Sequence, residues 1–207
     1  VKNLTTDAIR NFVLAGHAGA GKTSLADLML HKGGSVNRLG SVDDGTSASD
    51  FRDEEQETRH SIYGTPLSTE WKDTQLFFTD VPGYQDFVGE ATAAGAVADM
   101  SLIVVDAVSG IETGTVRAWK QTREANKPCA FFINGLDKEQ ADFQKVLGEL
   151  QENYGATTVI PFTVPVGAED SLSAVVRVLG DDDVPGDLAE MVAGYKESLM
   201  DTVAESD

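Results

Sequence analysis

Between the apolar run NFVLA (11–15) and the helix-period stretch LADLMLHK (25–32) the chain reads GHAGAGKTS, residues 16–24. Gly16, Gly21, Lys22 and Thr23 fit the pattern GxxxxGK[ST]. Glycines let the backbone turn so that successive N–H groups point inward at anionic oxygens, and the following helix presents its positive end to the same place. A glycine-rich turn with an incidental lysine fits the bare pattern too, but placement between a buried strand and a helix is the context that selects a phosphate cradle. On that reading His17, Ala18, Gly19, Ala20, Gly21, Lys22, Thr23 and Ser24 wrap phosphates. Lys22 reaches the outer ones and Thr23 offers its hydroxyl to Mg²⁺.

Short apolar runs bounded by turn formers recur along the chain: NFVLA, LFFTD (76–80), LIVVDA (102–107), CAFFIN (129–134) and TVIPFTV (158–164). Such near-continuous runs suit strands buried on both faces of a mainly parallel sheet. Helix-period stretches at 22–31, 86–98, 113–125 and 138–153 alternate with them. The expectation is therefore an α/β fold with helices on both faces of the sheet. SIYGTPLSTEWKDTQLFF (61–78) departs from the alternation, because two extended stretches meet across WKDT with no room for a crossover helix; it predicts one antiparallel hairpin. Residues 33–60 show little periodicity, and a connection of that length is either functional or disordered. Residues 187–207 carry apolar positions at helical spacing and predict an amphipathic helix.

Thirty-four acidic against sixteen basic residues give a formal charge of −18. That balance repels phosphate backbones, and with no basic patch in the chain it argues against direct sequence-specific nucleic-acid binding. No apolar run is long enough to span a bilayer, so no membrane partner is expected. Residues 1–15 lack a secretory pattern, and the single Cys129 lies inside an apolar run, which fits a reducing cytoplasm. Opening on Val1 rather than Met suggests a piece of a longer protein.

A phosphate loop with a bound metal needs a carboxylate at the end of a neighbouring strand. Asp80 ends LFFTD and is followed by VPG, a bend that aims it; capping the next helix is its alternative use. NGLD, Asn134 to Asp137, follows the strand CAFFI. A carboxylate there accepts from the ring N–H and exocyclic amine of guanine, a donor pair that adenine does not offer; an Asx-type turn is the plainer reading of the tetrapeptide alone.

Taken together, GHAGAGKT, VNRLGSVDDGTSASDF, DVPGYQDFVGE, NGLD, VPVGAED and YKESLMDTVAESD occur in an order that resembles the P-loop NTPase domain of translational GTPases. The likeness is greatest to elongation factor G-like proteins whose loop begins GHAG. It implies GTP and GDP as ligands, Mg²⁺ dependence, a conformational switch and a ribosomal partner for the full-length protein. It further implies a nucleotide-binding core over 1–167 and a partial inserted subdomain with a C-terminal helix over 168–207. Residues 33–61 take the place of a first mobile switch, with Ser61 at a metal-binding hydroxyl position, and 81–90 that of a second, with Gly83 beside the nucleotide.

Three residues depart from the family pattern. Tyr84 stands where a histidine orients the attacking water, and a phenol with a pKa near 10 differs in shape and basicity. Gly135 replaces the lysine stem laid along the base, and Gly19 replaces an aspartate in the loop. Hydrolysis with Lys22 and Tyr84 as the catalytic pair is thus expected to be slow. The competing readings are a nucleotide-gated binding module without useful hydrolysis, and an ATP-using enzyme built on the same loop. His17, His31 and His60 lack zinc-ligand spacing, Trp119 is expected to pack its helix on the sheet, and Trp71 to mark the hairpin turn.

Overall fold

The computed structural model describes residues 4–206. Residues 1–3, counted above in the core, and Asp207, counted in the tail helix, lie outside the described residues. In chain order the elements are β1 (Ile9–Gly16), α1 (Lys22–Lys32), α2 (Asp53–Thr58), β2 (Thr65–Trp71), β3 (Thr74–Asp80), α3 (Val88–Val97), β4 (Met100–Asp106), α4 (Thr113–Glu124), β5 (Cys129–Asn134), α5 (Phe143–Tyr154), β6 (Thr163–Val166), β7 (Ala174–Arg177) and α6 (Ala189–Ser206). They fall into two compact units, one running through Asp106 and including Glu112–Asn134, the other made of Ala107–Ile111 and the chain from Gly135 onward.

The first unit is built on a five-stranded sheet of order β2-β3-β1-β4-β5. β1 pairs in parallel with β3 and β4, and β4 in parallel with β5. β2 alone runs antiparallel, paired with β3 from Thr65 opposite Asp80 to Trp71 opposite Thr74. Its hairpin turn places Lys72 and Asp73 at φ of 46° and 62°, the left-handed pair that a two-residue turn needs to match strand twist. Trp71 sits at that turn, as expected.

Alternation along β1 explains how helices cover both faces. Phe12 and Leu14 point to one side, packing with Ala26 and Leu30 of α1 and with Phe78. Val13 points to the other, packing with Val81 and Ala98 and against Ala91 and Ala94 of α3. Phe12 and Phe78 stack with ring centroids 5.5 Å apart. Trp119 of α4 stacks on Phe131 of β5 at 5.6 Å, fixing that helix to the sheet. Lys127 donates to the carbonyls of Gly95 and Ala96 at 2.7 and 2.8 Å, which satisfies the C-terminal end of α3.

The second unit corrects one expectation. The run TVIPFTV supplies no strand to the main sheet; its strand starts at Thr163 and pairs antiparallel with β7 in a separate two-stranded sheet. Val164, Val176 and Val178 from this hairpin pack with Val192 and Leu199 of α6 into a small core of their own. The expected helix at 138–153 begins only at Phe143, where the Asp142 side chain accepts from the Lys145 N–H at 3.0 Å as N-cap.

Phe78 is the largest fully buried side chain of the first unit. Phe78→Ala is expected to destabilise the chain by about 3–5 kcal/mol, measured by denaturant unfolding, with the transition slope unchanged.

Candidate functional site

Loop 17–21 connects β1 to α1, and its shape follows from its glycines. Gly16, at φ 138°, passes so close to the Val104 carbonyl that no Cβ fits there. Gly21, at φ 90°, would drive a Cβ into the Asn134 amide. That amide donates to the Ala20 carbonyl at 2.9 Å, so the end of β5 braces the loop. His17 ties the other end down: its Nδ1 accepts from the Gly114 N–H at 3.2 Å, leaving Nε2 to face Glu112 of the same turn at 3.4 Å. Gly83 packs against the backbone at Ala18, and its carbonyl accepts from Arg117 at 2.7 Å.

Three segments meet at Thr23. Its hydroxyl donates to Asp80 Oδ2 at 2.8 Å and lies 3.1 Å from the Ser61 hydroxyl. Ser49, from the long 33–60 connection, donates to the same Asp80 oxygen at 2.8 Å. Lys22 is 5% exposed and donates to the His17 carbonyl at 2.7 Å. Burial lowers the Lys22 ammonium from its ordinary range, against the raising charges of Asp80 and Asp50. Asp80 is 0% exposed, and burial pushes its carboxyl up against the opposing effects of Lys22, Thr23 and Ser49. Asp50, 2% exposed, is pushed up to about 6 by burial, lowered by the Ser61 hydroxyl and raised again by Asp80, Glu55 and Asp27.

This donor set fits a divalent cation and a polyanion. Asp80 Oδ1 and both Asp50 carboxylate oxygens are buried without a well-formed hydrogen bond, beside two hydroxyls. Hard cations take such oxygens, and Mg²⁺ in particular is held by one or two protein oxygens with waters and substrate phosphates rather than by a full protein cage. Among the described residues no group of three or more His, Cys, Asp or Glu is arranged to hold a metal ion.

The structure thus brings together Lys22, Thr23, Ser61 and Asp80, with His17, Ala18, Gly19, Ala20, Gly21 and Gly83 forming the loop and its wall and Asn134 bracing it. Ser24 is exposed on the first turn of α1. Tyr84 is 46% exposed and its ring meets His60, a contact that no sequence signal announced. Asp137 lies on the exposed turn after β5, within the second unit. Sequence reasoning missed Ser49, Asp50, Asp27 and Glu55. The 33–60 connection is ordered by side chains reaching backbone: Asp27 accepts from the Ala48 N–H at 2.8 Å, and buried Glu55 from the Ile62 and Tyr63 N–H groups at 3.0 and 3.1 Å. Nothing periodic marks those positions.

Gly21→Ala is expected to cost about 1–3 kcal/mol from left-handed backbone strain alone. Displacement of Asn134 should add a loss of nucleotide affinity above tenfold. Thermal unfolding and titration calorimetry on the same variant check the two effects.

A family model described as the elongation factor Tu GTP binding domain matches residues 7–205. A crystal structure of a protein from Thermus thermophilus is similar to this chain with a TM-score of 0.89 and 29% sequence identity, over 97% of this chain. This chain covers 32% of that one, so it spans about a third of its length.

Proposed function

The chain belongs to the elongation factor Tu GTP-binding-domain family, and from that premise we propose that it is a GTP-operated switch that hydrolyses GTP slowly to GDP and phosphate. The observation that supports this best is the Thr23 hydroxyl bonded to Asp80 and within 3.1 Å of Ser61, because it ties the phosphate loop, the end of β3 and the 33–61 segment to one point. In this reading the loop amides and Lys22 bind the phosphates and offset charge as it develops on the transferred group. Mg²⁺, when bound, neutralises charge on the outer phosphates, and Thr23, Ser61 and Asp80 are the residues that would hold it. Asn134 and Asp137 select guanine. Residues 33–61 and 81–90 change order with the nucleotide, and a longer elongation factor G-like protein carrying this domain would present that change to the ribosome, in the cytoplasm. Segment 168–207 is then part of an inserted subdomain appended to the 1–167 core. Among the described residues no helix is long and apolar enough to cross a membrane.

A second reading keeps the switch and drops useful hydrolysis. Tyr84, half in solvent where a water-orienting base is needed, favours it.

Titration calorimetry with GDP, GTP and ATP is expected to show guanine nucleotides binding at least tenfold more tightly than ATP, and chelation of Mg²⁺ weakening GTP more than GDP. Equal binding of adenine and guanine nucleotides contradicts the proposal. On the second reading Tyr84→His is expected to raise the rate of phosphate release about tenfold or more with affinity unchanged. Brisk release by the native chain would instead dispose of the second reading.

A further inference from the structure

The ring of His60 packs edge-on against the ring of Tyr84, centroids 4.9 Å apart and planes at 62°, with Phe87 6.4 Å away. Each ring belongs to the chain neighbour of a residue at the site. His60 precedes Ser61, whose hydroxyl is 3.1 Å from that of Thr23. Tyr84 follows Gly83, which packs on the Ala18 end of the phosphate loop. The approach is built into the backbone: Arg59 adopts φ 56°, a left-handed turn that ends α2 and redirects the two residues after it.

The imidazole is oriented as well as placed. Its Nδ1 lies 3.0 Å from the carbonyl oxygen of Thr58. A carbonyl only accepts, so Nδ1 carries a hydrogen, and in the neutral form of the ring this places the lone pair on Nε2. The edge contact to Tyr84 completes the placement of the ring, and Nε2 has no hydrogen-bond partner among the described residues. A lone pair of this kind accepts a hydrogen bond from water far better than a phenol oxygen does.

We propose that His60 supplies, from the 33–61 segment, the water-orienting acceptor that Tyr84 lacks, with Nε2 receiving a hydrogen bond from the attacking water and the Tyr84 ring holding the imidazole in place. This rests on the hydrolysis reading above. The water oxygen bonds to the terminal phosphorus as the bridging P–O bond breaks. That bond's electron pair stays on the diphosphate, and both water hydrogens leave on the released phosphate. His60 aims the water; it is not asked to keep its proton.

Single-turnover phosphate release from the GTP-loaded chain tests this, alongside nucleotide affinity and the tautomer of His60. His60→Ala is expected to slow release at least tenfold while affinity for a non-hydrolysable GTP analogue with Mg²⁺ changes less than about twofold. Added imidazole should restore part of the loss, and His60→Gln, whose amide oxygen accepts a hydrogen bond, should lose less than the alanine variant. ¹⁵N chemical shifts of the analogue-bound wild-type chain should report the Nδ1–H tautomer. Release by His60→Ala at the wild-type rate overturns the assignment, as does an Nε2–H tautomer, or a loss of rate matched by an equal loss of affinity. Absence of phosphate release from the loaded wild-type chain overturns the hydrolysis reading itself, and this assignment with it.

Discussion

The carboxylate of Asp80 is the point on which the site is built. It has no exposure to water, and a buried charge of that kind persists only where hydroxyls, amides or cations answer it. Thr23 brings the start of α1 to it and Ser49 brings the 33–60 connection, both at 2.8 Å. The strand that carries it is an inner strand of the sheet, paired with β1 on one side and with the edge strand β2 on the other. Removing this carboxylate would leave Thr23, Ser49 and the desolvated Lys22 without the group they share.

The same electrostatics explain how a long connection with little periodicity is ordered. Asp27 holds the Ala48 amide, Glu55 holds those of Ile62 and Tyr63, and Glu90 accepts from the Gly64 N–H at 2.8 Å. Thr65 closes the segment by donating to the Ser49 carbonyl at 3.2 Å. These are side-chain bonds to single amides, supplemented where Val36 and Ala48 pack against the apolar core of the sheet. Two of the carboxylates involved, Glu55 and Asp27, also raise Asp50, and a cation at Thr23 would relieve that repulsion. A ligand carrying such a cation would couple its charge to the order of the segment, which is the physical content of the switch proposed above.

Local chemistry was legible in the sequence wherever it determined structure by itself. The phosphate loop, the Asp80 bend and the hairpin across Lys72 and Asp73 each follow from residue types at short spacing. TVIPFTV failed because an apolar run specifies strand tendency and says nothing of which sheet receives it; Val164 found its partners in Val176 and α6. Ser49, Asp27 and Glu55 were invisible because their meaning lies in partners dozens of residues away or in single amides. His60 showed only a lack of zinc-ligand spacing in the sequence; its ring is fixed by Arg59 and the Thr58 carbonyl, which no short pattern marks.

Hydrogen exchange on the chain with and without a Mg²⁺-bound, non-hydrolysable GTP analogue tests most directly whether Thr23 and Asp80 join these segments to the nucleotide. The account predicts new protection concentrated at the amides of residues 17–24 and 47–65, lost together in Asp80→Asn. Protection confined to residues 17–24, or persisting across 47–65 when Asp80 is replaced, would contradict it.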